Sequence, residues 1–326
     1  MSRRSRIVDG LICIVAVAAM IAWATPARAV LTCTFTITNI NFGNINLTAN
    51  TVFDTTGTFS ATCTGGVGNS TARICPNISS GSGGTTTGNP RFLLNGATQL
   101  NYNLYSNAAR TTVWGSHLWG FTQRPPTINI SLNGSGNGSA TRSIFARIST
   151  GQQTRPTGTY ASSFSGSNTQ IAYARSTVGN CAAIGATNAT AAPFTVTATY
   201  PAICSVSAAT LNFGATGVLT TAVNGSSTLT ATCSSTTPYN IGLNAGTGSG
   251  ATVAARKMTS GAATVGYSLY TNSARTTIWG NTVGTNTVSG VGAGVAQNYT
   301  VFGQVPPQAT PQPATYVDTI ITTVTY

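Results

Sequence analysis

Residues 102–115 read YNLYSNAARTTVWG and residues 267–280 read YSLYTNSARTTIWG, identical at ten of fourteen positions and mildly exchanged at the rest. A string of that length does not recur by chance, so the chain holds two copies of one domain. Each copy then serves as a reading key for the other, above all where one has something the other lacks.

The chain opens with Arg3, Arg4 and Arg6, an apolar run over residues 11–24, and the small-x-small triplet Ala27-Arg28-Ala29. That order is the pattern of a secretory signal peptide over residues 1–29, with cleavage after Ala29. The expected setting is therefore export through an oxidising compartment. Cysteine usage agrees with it. Cys13 leaves with the signal, and the six that remain are Cys33, Cys63, Cys75, Cys181, Cys204 and Cys233. An even number in an exported chain reads as a disulfide framework. Cys33 precedes Asn41-Phe42-Gly43 as Cys204 precedes Asn212-Phe213-Gly214, and Cys63 closes Ala61-Thr62-Cys63 as Cys233 closes Ala231-Thr232-Cys233. The repeat thus pairs Cys33 with Cys63 and Cys204 with Cys233. Cys75 and Cys181 lack counterparts in the second copy and pair with each other by elimination.

Beyond the signal, only Asp54 and Asp318 are acidic, against ten arginines and Lys257. General acid–base work by paired carboxylates needs two acids a few ångströms apart. One acid per copy does not provide it. The sole histidine, His117, has too few companions for a metal cluster and lies in no nucleophile motif. No catalytic residue, cofactor or metal is expected, and the reading is of a protein that binds or builds. The arginines are scattered, with no basic cluster interleaved with aromatics, so nucleic acid is not an expected partner.

The copies span residues 30–200 and 201–326. Thr195–Tyr200 (TVTATY) matches the chain end Thr322–Tyr326 (TTVTY). Short β-branched and aromatic runs at 228–233, 239–244, 266–271 and 319–326 are separated by Gly, Asn and Pro turns, and no helical period persists past the signal. The expected fold is all-β: two tandem immunoglobulin-like sandwiches. On the matching of ends, residues 161–194 are an insertion in the first copy carrying Cys181. It is either a loop stapled to the sheet or an added hairpin that completes or decorates the first domain. The first copy also gains apolar groups at Phe92, Leu94, Leu118, Trp119 and Phe121: Phe92 stands against Lys257 and Leu94 against Thr259, and Ser116–Phe121 against Asn281-Thr282-Val283-Gly284-Thr285. These form either an exposed contact surface or cover for extra core. Trp114 and Trp279 recur and are expected in the cores.

Cys204, Asn212-Phe213-Gly214, Thr232-Cys233, the segment 269–280 and the terminal Pro-x-x-Tyr-x-Asp-Thr of 313–319 together resemble the spore coat protein U domain. The first copy matches through Cys33, Phe42, Cys63, 104–115 and 156–160. The family includes subunits of archaic chaperone–usher pili of Gram-negative bacteria, and its two-domain members resemble the pilus-tip adhesin. The resemblance implies pilin-type sandwiches, the C-terminal one lacking a strand that a partner supplies by donor-strand complementation. It implies as partners a periplasmic pilus chaperone, an outer-membrane usher and an adjacent pilin subunit, with the finished fimbrium at the cell surface promoting attachment to an abiotic or host surface and biofilm formation. Cleavage after Ala29 leaves three residues before Cys33, too short for a donor arm, since a strand advances about 3.3 Å per residue. The expectation is a capping subunit with the first copy outermost. A secreted structural coat or fibre protein and a stand-alone surface lectin are the alternatives.

Overall fold

Thr, Ser and Asn alternating with Val, Ile, Phe and Tyr favour extended chain, because β-branched and aromatic side chains fit a pleated, half-buried surface. The computed structural model describes residues 30–85, 90–121, 123–175, 180–181, 187–191 and 193–326. The signal-peptide segment 1–29 and parts of the 161–194 segment lie outside the described residues. The first copy carries β1 (Thr32–Ile37), β2 (Ile40–Asn44), β3 (Phe53–Thr64), β4 (Thr71–Pro76), β5 (Arg91–Asn95), β6 (Thr98–Tyr105), β7 (Ile128–Ser131), β8 (Gly138–Ile148), β9 (Gly158–Phe164), β10 (Gln170–Arg175), β11 (Thr187–Thr190) and β12 (Phe194–Tyr200). The second carries β13 (Cys204–Ala208), β14 (Val223–Cys233), β15 (Pro238–Leu243), β16 (Arg256–Ser260), β17 (Ala263–Tyr270), β18 (Val288–Val291), β19 (Ala296–Val305) and β20 (Thr322–Thr325).

Each copy is a sandwich around its own core. In the first, an eight-stranded sheet in the order β1-β3-β8-β6-β5-β9-β12-β2 faces a four-stranded sheet β11-β10-β4-β7. In the second, β13-β14-β19-β17-β16 faces β18-β15-β20. One core gathers Phe35, Phe59, Leu93, Trp114, Ile144 and Val196, and the other Leu229, Tyr239, Ile241, Leu269 and Trp279. The two recurring tryptophans are buried as expected.

The repeated motif has a physical cause. Arg91 and Arg256 are fully buried with no carboxylate bonded to either. Arg91 donates to the carbonyls of Ser79 (2.8 Å), Ile78 (3.0 Å) and Trp114 (2.8 Å) and to Asn103 Oδ1 (2.7 Å). Arg256 donates to the carbonyls of Asn244 (2.9 Å), Val253 (2.7 Å), Leu243 (3.0 Å) and Trp279 (2.7 Å). The Trp114 indole donates to Pro76 O at 2.8 Å and Trp279 to Ile241 O at 2.9 Å. The fork of an arginine and the indole N–H thus sew one sheet of each sandwich to the other. Burial pushes the Arg91 guanidinium down to about 10. It stays charged at neutral pH.

All three expected disulfides are present: Cys33–Cys63, Cys75–Cys181 and Cys204–Cys233. The first and third join facing residues of β1 and β3 and of β13 and β14. The second closes a separation of 106 residues, a constraint on the unfolded chain of about 4–5 kcal/mol by loop-entropy reasoning.

The matching of chain ends requires correction. β20 pairs antiparallel with β15, as β10 pairs antiparallel with β4. The counterpart of the chain end is therefore β10, and β12 has no counterpart among the described residues of the second copy. Both TVTATY and TTVTY alternate with period two, so pattern alone cannot distinguish them; pairing partners do. Residues 161–164, read as the start of an insertion, continue β9, and what the first copy adds is β11 and β12.

Replacing Arg91 with Met strands four buried acceptors, each costing about 1–3 kcal/mol. The first sandwich should lose more than about 3 kcal/mol, read by denaturant unfolding followed through tryptophan fluorescence. Arg142→Met, at an exposed site, should stay within about 0.5 kcal/mol of the parent.

Candidate partner-binding groove

β12 closes a seam in the first copy. It runs antiparallel to β9 and parallel to β2. Phe194, Val196, Ala198 and Tyr200 point inward and are buried, with Thr195, Thr197 and Thr199 between them half-buried. The Phe194 ring stacks on Phe164 with centroids 4.5 Å apart, and Val196 lies opposite Ser162 on one side and Ile40 on the other.

The same two walls stand in the second copy. Val317 exchanges main-chain hydrogen bonds with Thr259 (2.8 and 3.1 Å), as Ala161 pairs with Leu94. Tyr316 Oη donates to Gln312 O at 2.8 Å, and Tyr160 Oη to Pro156 O at 2.7 Å. Tyr316 and Asp318 are thus the counterparts of Tyr160 and Ser162. On the facing wall, Asn212 Oδ1 accepts from Gly214 N at 2.8 Å just as Asn41 Oδ1 accepts from Gly43 N. Between these walls, where β12 lies in the first copy, no strand occurs among the described residues.

The space is a groove formed by two adjoining cavities of about 650 and 530 Å³ that share Leu211, Phe213, Met258 and Tyr316. Val223, Val265 and Val305 extend its floor at one end, and Leu229, Leu269 and Val301 at the other. Core positions sealed in the first copy are uncovered here: Ile40 and Leu93 are fully buried, whereas their counterparts Leu211 and Met258 are only half-buried. In an antiparallel pairing, successive residues direct their main-chain groups to opposite sides. Val317 faces β16, so the N–H and C=O of Tyr316 and Asp318 face the groove. An apolar floor beside an unpaired strand edge is the arrangement that takes up an extended chain.

One charge stands on the groove wall. Asp318 accepts from Tyr267 Oη at 2.7 Å and from Thr247 N at 2.7 Å. Burial, and then the hydrogen bond to this carboxylate, push the Tyr267 phenol far above its ordinary range. Gly246, at φ +84°, passes so close that a Cβ would meet the carboxylate at 2.0 Å, which leaves glycine as the residue that fits. The other acid, Asp54, is held by Arg147 at 2.8 Å and Arg110 at 3.2 Å. The two carboxylates thus serve separate contacts.

The five residues singled out for surface contact do not form one patch. Phe92 and Phe121 are buried, and the Arg91 guanidinium lies 4.4 Å over the Phe121 ring. Leu94 and Trp119 are half-buried, and Leu118 is 40% exposed. The loop around Gly115 folds back, Ser116 N donating to Gln123 O, which carries Phe121 inward. The arginines of the clasp and the residues that line the groove were not singled out as site features, the missing strand being expected only through the family resemblance. The arginine shared by RFLLN and RKMTS, inside otherwise apolar strands, was the available signal for the clasp. Among the described residues no three His, Cys, Asp or Glu side chains converge on a metal-sized space, and no helix is long and apolar enough to cross a membrane.

A model of the Spore Coat Protein U domain matches residues 19–166 and again residues 190–323. The chain belongs to this family. Among solved structures it is similar to the chaperone–tip adhesion subunit complex CsuC–CsuE of archaic Csu pili from Acinetobacter baumannii, at 14% identity and a TM-score of 0.53, covering 90% of this chain and 100% of that one. The CupB6 tip adhesin from Pseudomonas aeruginosa is also matched, at 12% identity and a TM-score of 0.37, covering 90% of this chain and 94% of that one. A search of curated protein sequences found no significant match. The first likeness extends the two-sandwich fold of the spore coat U domains to a chain of the same span.

The seam contrast makes an exchange prediction. Main-chain amides of Val196 and Ala198 in β12 should be strongly protected from deuterium exchange, whereas those of Tyr316 and Asp318 should exchange as an open edge. Equal protection at both places, measured by NMR or mass spectrometry, would contradict an open groove in the second spore coat U domain.

Proposed function

We propose that this chain is the tip adhesin subunit of an archaic chaperone–usher pilus. A signal over residues 1–29 directs its export through the periplasm to the cell surface of a Gram-negative bacterium. Residues 30–200 form the outermost, adhesive unit, and residues 201–326 the unit that joins the fibre. The observation that carries the reading is the unequal pair of seams: the first closed by the chain's own β12, the second open beside an unpaired edge. A self-complete unit ahead of an incomplete one suits a subunit that is joined from one side only. An open edge over an apolar groove favours aggregation until another chain covers it. A periplasmic chaperone is the partner expected first, followed at the outer-membrane usher by the extended segment of an adjacent subunit.

Membership of the spore coat U family and the fold likeness to a chaperone-bound tip subunit support this reading. Attachment to abiotic or host surfaces, and the biofilm that follows, is assigned to the loop around Leu118 and Trp119, because Leu118 is the exposed member of the apolar set.

Immunogold labelling with antibody against the first sandwich tests the placement. Single particles at fibre ends are expected; continuous labelling along fibres, or a smooth coat, would overturn it. The double replacement Leu118→Asp and Trp119→Ala should leave end-labelling unchanged and cut surface attachment severalfold.

A further inference from the structure

At one wall position the two seams differ in charge, and in the open seam that residue lines the groove. In the closed seam, Ser162 lies opposite Val196 of β12; both are buried, and Ser162 Oγ accepts from Gly83 N at 3.1 Å. The counterpart of Ser162 in the open seam is Asp318. A strand laid as β12 is laid would therefore set its central inward-facing residue opposite a carboxylate.

Asp318 Oδ1 accepts from Thr247 N (2.7 Å), Thr247 Oγ1 (2.9 Å) and Thr319 N (2.8 Å), and Oδ2 from Tyr267 Oη (2.7 Å). Each carboxylate oxygen offers about two acceptor sites. Oδ1 is fully engaged, whereas Oδ2 has one hydrogen-bond donor among the described residues, Tyr267 Oη, with the main chain of Gly246 packed beside it. The Arg256 guanidinium acts on Asp318 through space, but its hydrogen bonds go to four carbonyls. Covering the groove with an apolar strand would take this carboxylate further from solvent and return no hydrogen bond, which is costly. An occupant that donates at that point avoids the penalty. Selectivity of this kind arises as much from what is left unpaired in the wrong complex as from what is gained in the right one.

We propose that Asp318 sets the selectivity of the groove. The groove takes from a partner chain a strand with a hydrogen-bond-donating side chain, such as Thr, Ser or Lys, facing Asp318. It rejects a strand apolar at that position, including β12 of a neighbouring copy. The proposal rests on the strand-acceptor reading of the second sandwich. It explains how a chain that carries both a strand built for one seam and a second seam of the same shape avoids exchanging β12 between copies.

The test uses the chain from residue 30 onward and three labelled peptides spanning residues 193–200: the native sequence, Val196→Thr and Val196→Lys. Val and Thr are nearly the same size, so the first exchange adds a donor at almost constant shape. Fluorescence anisotropy should show Val196→Thr and Val196→Lys binding at least about tenfold more tightly than the native peptide, the range of a hydrogen bond to a charged group. Asp318→Ser, which copies the closed seam, should shrink the gap for Val196→Thr to about twofold; Asp318→Asn serves the same end if the serine variant does not fold. Equal binding of the native and Val196→Thr peptides to the unaltered chain would overturn the role of Asp318 and leave the groove a strand acceptor. Absence of binding by all three peptides to every protein would overturn the acceptor reading, and this proposal with it.

Discussion

A guanidinium buried without a carboxylate holds each sandwich together. Taking a cation out of water is expensive; the cost is offset because one planar fork satisfies three or four backbone carbonyls that would otherwise lie buried and unpaired. Its carbonyl partners come from the residues just after β4, or from the end of β15 and the loop before β16, and from the tryptophan that closes the repeated motif, so one side chain fixes how the two sheets approach. The identical residues of the repeat follow from this geometry. Trp114 and Trp279 supply an acceptor to the arginine and a donor to the facing sheet. Asn107 and Asn272 cap the turns that deliver them, each accepting two main-chain N–H groups. Arg110 and Arg275, both at positive φ, lean on Phe145 and Phe302.

With the clasp held constant, the copies diverge at the seam. β9 and its counterpart present the same edge, and residues 40–43 and 211–214 the same facing wall. The difference is whether, among the described residues, a strand lies between them. Where it does, alternate residues of β12 sink into the core and the sheet continues to β2. Where it does not, Leu211 and Met258 line an open trough. If the second groove takes up a strand, the likeness of the walls makes the first copy a template for it, in direction as well as shape. The difference at Ser162 and Asp318 says where the template should not be copied.

Sequence conveyed the features that depend on residue identity at fixed offsets. The repeat gave the duplication and, by comparison of copies, the cysteine pairs; the tryptophans common to both were the core tryptophans. Features that depend on which segment lies beside which were not legible. TVTATY and TTVTY have the same period and composition, yet one lies in the larger sheet of its sandwich and the other in the smaller. Phe92 and Phe121 look like surface aromatics in a glycine-flanked stretch, but a backbone turn and a cation–π contact with Arg91 draw Phe121 inward. The groove left no trace in the pattern, because apolar positions alternate in the same way whether a strand covers them or not.

The parallel contact between β12 and β2 spans almost the whole first copy, pairing Val196 with Ile40 across 156 residues. A chain that emerges from its N-terminus must therefore hold β2 and the wall at Ile40 uncovered until residue 200 has appeared, since nothing earlier in the sequence fills that place. Loop closure over such a distance is slow, so this seam is expected to complete after contacts of shorter sequence separation, such as the β1–β3 pairing joined by Cys33–Cys63. Until β12 docks, the first copy carries an exposed trough like the one the second shows among the described residues.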